Sequence, residues 1–173
     1  DLLLMAQAES GRLEMELQPV EIDTLMLEVF QQIKILAGDQ KKMVIEDIDQ
    51  LVVLGDRDRL KQVLLNLLSN AVKYTGTNGR IILRLTRVGD EVHLAVEDDG
   101  RGIHPEEIEH IFERFYRVEQ SRTKFIQYDE KGFGLGLSIA YLIMFRHNGR
   151  IEVESELGRG SIFTMCLPEY KPE

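Results

Sequence analysis

Three stretches of the chain combine residue types that seldom meet without a chemical reason. The first is Lys131-Gly132-Phe133-Gly134-Leu135-Gly136-Leu137-Ser138, with glycine at three alternate positions ahead of an apolar run that ends at Phe145. Glycine lets the backbone take positive φ and come close to a ligand. The start of a helix then offers free N–H groups and a positive dipole end to an anion. A flexible loop before a core helix has the same composition, so this stretch needs support from elsewhere. A polar segment precedes it where a dinucleotide GxGxxG would have a strand, and the chain has no GxxxxGK[ST]. The second is the row Arg59, Gln62, Asn66, Asn70 and Lys73, which falls within about 40° of Asn66 on a helical wheel. A solvated face would read similarly. Asparagine, however, competes with its own backbone for hydrogen bonds, so two of them one turn apart in a strong helix suggest a task. The third is Asp98 with Gly100-Arg101-Gly102-Ile103: a carboxylate in register with Val92, Leu94 and Val96, followed by a turn that permits close backbone approach. A carboxylate aimed into an apolar layer needs donors, so it either caps local backbone or reads a ligand.

These residues must be positioned by ordinary elements. Leu60, Val63, Leu64, Leu67, Leu68 and Ala71 line one helical face and predict a core helix over 57–74, with Asp56 as its cap. Ile22, Leu25, Met26, Val29, Phe30, Ile33 and Leu36 predict a second, from Glu21 to Ala37. The glycine stretch opens a third, ending at His147-Asn148-Gly149. Alternation predicts a strand through Leu13, Met15 and Leu17 that Pro19 ends, then strands over Met43–Ile48 and Leu51–Leu54. Two hairpins follow, Arg80–Thr86 with Glu91–Glu97, and Arg150–Ser155 with Ser161–Leu167, the last ended by Pro168. Pro105 starts a helix reaching about Phe112, and residues 118–131 form a long polar loop of a length that usually serves function or is disordered. A short opening helix stops at Ser10-Gly11 and looks like the last turns of a longer one.

The chain has 173 residues, 43% of them apolar, which suits one domain with a real core. Its 30 acidic and 21 basic residues give a net charge of −9, which argues against nucleic acid as a partner. The single cysteine, Cys166, cannot form an internal disulfide, reads as a core residue, and suits a reducing compartment. No apolar run reaches the ~18 residues that span a bilayer. A cytoplasmic location is expected, which leaves room for a longer protein anchored in the cell membrane.

Read in order, Asn66-Leu67-Leu68-Ser69-Asn70-Ala71-Val72-Lys73-Tyr74, Asp98-Asp99-Gly100-Arg101-Gly102-Ile103, Ile111-Phe112-Glu113-Arg114-Phe115-Tyr116-Arg117 and Gly132-Phe133-Gly134-Leu135-Gly136-Leu137 resemble the N, G1, F and G2 boxes of the ATP-binding catalytic domain of two-component sensor histidine kinases. The resemblance implies the Bergerat ATP-binding fold, an α/β sandwich with a mixed, mostly antiparallel five-stranded sheet packed on three helices. It implies residues 1–12 as the end of a dimerisation helix with its linker, 13–173 as the catalytic domain, and 116–133 as a lid over ATP. By the same resemblance Asp98 accepts the adenine amino group and Asn70 gives an oxygen to Mg²⁺. Asn66 orders the metal's waters or the moving phosphate, Lys73 and Arg117 neutralise phosphate, and Tyr74 packs near the adenine. Gly100, Gly102 and Ile103, with Gly132, Phe133, Gly134, Leu135, Gly136 and Leu137, wrap the nucleotide. Lys131 and Phe133 depart from the family's usual glycine and small hydroxyl residue, which bears on lid mobility.

The implied activity is transfer of the γ-phosphate of Mg-ATP to a histidine on the dimerisation domain of the same kinase, a homodimer at full length whose further partner is a response regulator. None of His93, His104, His110 and His147 has the phosphoacceptor context, so the acceptor is expected outside this chain. Two alternatives stand beside it. Hydrolytic ATPases of the same superfamily carry a glutamate where this chain has Asn66, and a nucleotide-binding interaction module would bind ATP and transfer nothing.

Overall fold

The computed structural model describes residues 2–11, 13–117 and 135–173. Seven strands and five helices follow one another there: α1 (Leu2–Glu9), β1 (Gln18–Glu21), α2 (Ile22–Ala37), β2 (Lys42–Ile48), β3 (Val52–Gly55), α3 (Arg57–Tyr74), β4 (Arg80–Val88), β5 (Glu91–Asp98), α4 (Pro105–Ile108), α5 (Gly136–Arg146), β6 (Arg150–Glu156) and β7 (Gly160–Pro168). Five strands form one mixed sheet in the order β2-β4-β5-β7-β6, while β1 and β3 make a separate antiparallel pair. Only the β2–β4 pairing in the sheet is parallel, as the long crossover through β3 and α3 requires. Helices α2, α3 and α5 cover one face of the sheet, which makes the expected sandwich.

The core lies between those helices and the inward rows of β4, β5 and β7. Leu60, Val63, Leu64, Leu67 and Leu68 from α3 meet Ile81, Leu83 and Leu85, then Val92, Leu94 and Val96, all of them buried. Burying a side chain of this size is worth roughly 1.5–3 kcal/mol each, so α3 is fixed by its apolar face and its polar row is held beside the core. Asp56 caps α3 as expected, with Oδ1 accepting the Arg59 N–H at 3.1 Å.

Four expectations need correction. Residues 13–17 form no strand: Leu13 is buried and Met15 packs on the core, but the ladder is made by β1, with Pro19 opposite Leu54 inside it. A two-stranded ribbon has free edges, so a residue without an N–H is tolerated there. Leu36 is 75% exposed, while Ala37, the last residue of α2, packs on the core in its place. Helix α4 stops at Ile108, and turns carry the chain on to Phe115, which takes φ +61°. Cys166 is buried but stands opposite His93 and Arg150 in the ladder, so it belongs to the far face of the sheet, roofed by the Arg150–Glu91 ion pair. No helix among the described residues is long and apolar enough to cross a membrane.

Candidate functional site

Strand β5 delivers Asp98 to the inner face of the sheet, where it is 7% exposed. Burial pushes its carboxyl pKa up and the neighbouring Asp99 and Glu97 push the same way, while the N–H groups of Gly100, 2.9 Å from Oδ1, and of Ser161 pull it down. Two backbone donors leave this carboxylate with acceptor capacity to spare.

The turn after Asp98 is held against its neighbours at near-contact distance. A Cβ on Gly100 would lie 2.5 Å from the Tyr74 carbonyl oxygen, and one on Gly102, where φ is +68°, would lie 2.0 Å from the Glu156 carbonyl oxygen. Glycine is therefore required at both positions. Ile103 is half-buried and its N–H donates to Ser155 Oγ at 2.8 Å.

Helix α3 supplies the amides. Asn66 and Asn70 are both half-buried. The Asn66 Nδ2 donates to the Gly136 carbonyl at 3.0 Å, tying α3 to the first residue of α5. Asn70 makes no side-chain hydrogen bond among the described residues. Lys73 and Tyr74 are exposed at the helix end, and the Tyr74 ring is flanked by two cations, with Arg101 Cζ 4.4 Å and Lys73 Nζ 5.2 Å from its centroid. Lys41 caps the same end, donating to the carbonyls of Val72 and Thr75; burial lowers its pKa. Thr75 Oγ1 beside it is buried and has no hydrogen-bond partner among the described residues.

Helix α5 begins at Gly136, and among the described residues no side chain caps it at Leu135. Its first N–H groups are thus available to an anion. Leu135 is buried and Leu137 packs on the core. Gly136 is not required sterically, since a Cβ there would find its nearest neighbour, Asn66 Cγ, at an ordinary 3.7 Å. At the far end His147 is buried, with Nδ1 donating to the Ile143 carbonyl at 2.7 Å and Nε2 accepting the Asp56 N–H at 2.9 Å. Burial lowers its pKa, and the neutral ring clasps α5 to the cap of α3.

The fold therefore gathers Asp98, Gly100, Gly102, Ile103, Asn66, Asn70, Lys73, Tyr74, Leu135, Gly136 and Leu137 around one margin of the molecule, between the second half of α3, the turn after β5 and the start of α5. Arg117 is exposed at the end of a described segment. Gly132, Phe133 and Gly134, with all of the expected lid except Tyr116 and Arg117, lie outside the described residues. Among the described residues no group of three or more His, Cys, Asp or Glu side chains is placed to hold a metal. A half-buried amide oxygen without a partner still suits an ion that takes its other ligands from water and phosphate, so Asn70 fits Mg²⁺. Ser155, Ser161 and Lys41 are not singled out by the sequence, and Arg101 and His147 are named there without the contacts they make here. Alternation with Phe163, Met165 and Leu167 does place Ser161 inward, and that signal was available.

The family model described as histidine kinase-, DNA gyrase B-, and HSP90-like ATPase matches residues 55–171. The sensor histidine kinase RppB of Synechocystis sp. is 43% identical over 116 residues, 67% of this chain and 25% of RppB. The circadian input-output histidine kinase CikA of Synechococcus elongatus is 35% identical over 173 residues, 98% of this chain and 22% of CikA. The chain thus spans about a quarter or less of these curated relatives. Among solved structures, the catalytic domain of the histidine kinase ThkA superposes with TM-score 0.73 and 31% identity over 90% of this chain and 99% of its own. Full-length ShkA in complex with AMPPNP superposes with TM-score 0.80 and 28% identity, covering 99% of this chain and 35% of that one.

Proposed function

This chain belongs to the histidine kinase-, DNA gyrase B-, and HSP90-like ATPase family as a histidine kinase ATP-binding catalytic domain, and from that premise we propose that it transfers the γ-phosphate of Mg-ATP to a histidine on a separate dimerisation domain. Residues 1–12 would be the end of the dimerisation helix and its linker, 116–133 the lid, and a response regulator the next acceptor of the phosphoryl group. The observation that carries the reading is the gathering of Asp98, Asn70 and the uncapped start of α5 on one margin of the fold.

Each part has a distinct task. Asp98 accepts from the exocyclic amine of the base, and the Gly100–Gly102 turn lets the base lie against backbone. Tyr74 packs beside it, its ring already held by Arg101 and Lys73. The first N–H groups of α5 face the phosphates, with Lys73 and Arg117 reducing their charge. Asn70 would hold Mg²⁺, which when bound neutralises phosphate oxygens and keeps them in line for transfer. Asn66 holds the start of α5 beside Asn70 through its bond to Gly136. An amide is no general base, so nothing at position 66 activates water, and transfer to a positioned imidazole is favoured over hydrolysis. The remaining catalysis is positioning, which phosphoryl transfer chiefly needs.

The test mixes this chain with a histidine-bearing dimerisation domain of a related kinase and radiolabelled Mg-ATP. Label on the dimerisation domain that survives alkali and is lost in acid is expected. Steady release of inorganic phosphate without such labelling would replace this reading with hydrolysis.

A further inference from the structure

A polar row crosses the apolar inner face of the sheet where the base would sit. Asp98 stands opposite Ser161 in the β5–β7 ladder, and Ser161 stands opposite Ser155 in the β7–β6 ladder. Directly opposed residues share a face, with Cβ atoms about 4.5–5.5 Å apart. The three side chains therefore form one line, flanked by Ile81, which opposes Asp98 from β4.

One assignment of protons makes all three polar contacts of Ser155 Oγ hydrogen bonds at once. Ser155 Oγ has one proton and three polar neighbours. The Gly160 carbonyl, at 3.0 Å, can only accept, so the proton of Ser155 goes there. The Ile103 N–H, at 2.8 Å, can only donate, so it takes one lone pair. The third neighbour is Ser161 Oγ at 2.8 Å, a contact in which either hydroxyl can donate, and in the assignment that satisfies all three the proton comes from Ser161. Ser161 is 7% exposed, and with its only proton spent on Ser155 it presents lone pairs alone beside the Asp98 carboxylate.

We infer that Ser155 is a positioning residue for base selection: by holding the Ser161 hydroxyl as an acceptor next to Asp98, it makes the pocket accept a 6-aminopurine and repel a 6-oxopurine. The inference rests on the reading of Asp98 as the base-binding carboxylate. Ser155 reaches no ligand itself. It acts through Ser161, and through the Ile103 N–H that it holds at the end of the Gly100–Gly102 turn. Without the Ser155 oxygen, the Ser161 hydroxyl turns and donates to a 6-oxo group, while Asp98 accepts from the N1–H of the same base. Discrimination then falls although the shape of the pocket is retained.

The experiment titrates the full chain and its Ser155→Ala and Ser155→Thr variants with Mg-ATP and with Mg-inosine triphosphate, and titrates Asp98→Asn with ADP. The preference for ATP over the inosine nucleotide is expected to fall about tenfold in Ser155→Ala, the scale of one hydrogen bond made or lost. The change should come mainly from tighter binding of the inosine nucleotide, and Ser155→Thr, which keeps the hydroxyl, should retain the original ratio. A role in folding alone would weaken both nucleotides together and leave the ratio unchanged, and that result overturns the inference. Loss of ADP binding in Asp98→Asn with an unaltered ratio in Ser155→Ala overturns this inference and leaves the base site standing. Retained ADP affinity in Asp98→Asn overturns both.

Discussion

Replacing Asp98 with asparagine should separate binding from stability, because the carboxylate is held where it suits a ligand better than it suits the fold. In the ligand-free protein it is buried and its pKa is raised, while its compensation is two backbone N–H groups, from Gly100 and Ser161. An asparagine oxygen can keep one of these donors, so the variant forfeits about one neutral hydrogen bond, near 1 kcal/mol. It also removes a charge that burial opposes. A folded-state pKa above the unfolded value means that the folded protein binds the proton more tightly. The stability this contributes is present at low pH and is lost as pH rises from the ordinary carboxylate value through the raised one. Near neutral pH the two effects oppose each other, and Tm should stay within about 4 °C of the parent.

Nucleotide binding should respond far more strongly. A charge-assisted hydrogen bond worth about 1.5–3 kcal/mol is lost, and an amide N–H₂ is turned toward the amine of the base, costing about 1–3 kcal/mol more. Together these come to about 2.5–6 kcal/mol, or at least about 70-fold in Kd. Calorimetric titration with Mg-ADP and a thermal melt of the same preparation read both quantities. Unchanged ADP affinity would refute the base assignment. A fall in Tm beyond about 10 °C would show that the carboxylate holds the sheet margin together, contrary to the balance drawn above.

Other perturbations probe the remaining parts. Asn70→Ala should bring ATP affinity in Mg²⁺ down to its value in chelator, so that adding the metal no longer tightens binding; a preserved metal effect places the ion elsewhere. Gly102→Ala, whose Cβ would lie 2.0 Å from the Glu156 oxygen at φ +68°, should lose at least about 3 kcal/mol in urea denaturation. Gly136→Ala, with its nearest neighbour at 3.7 Å, should leave stability unchanged within about 0.5 kcal/mol. The His147 ring, its pKa lowered by burial from 6.5, should remain neutral in NMR titration at pH values where exposed histidines charge. Since its folded-state pKa lies below the unfolded one, its contribution to stability is present above the ordinary value and is lost as pH falls from there through the lowered one. A urea midpoint that drops less between pH 7 and pH 5 in His147→Gln than in the parent is therefore expected, and parallel curves would contradict this.

What the chain reveals on reading depends on the distance over which each feature is set. The face of Asp98 follows from alternation over seven residues of β5, and the amide row of α3 follows from one helical period; both are where periodicity puts them. The Asp56 cap is equally local. The strand expected over 13–17 fails because alternation reports which side chains are buried, as Leu13 and Met15 are, and says nothing about whether a partner edge is available. The parallel placement of β2 beside β4 is likewise invisible to any local window. The same limit hides Ser155, whose meaning appears only when β6, β7 and β5 lie side by side, and His147, whose acceptor role depends on an amide 91 residues away. Lys41 reads as one cation in a polar loop until the end of α3 is brought to it.

The two clasps between α3 and α5 are reciprocal. Asn66 grips the main chain at the start of α5, and His147, just past its end, grips the main chain ahead of α3. Each takes one side chain from one partner and a peptide group from the other, so the two contacts tie both ends of an antiparallel pair whose apolar faces share one core. A chimera that exchanges α5 between two relatives should therefore keep both ties only where both parents carry that asparagine and that histidine.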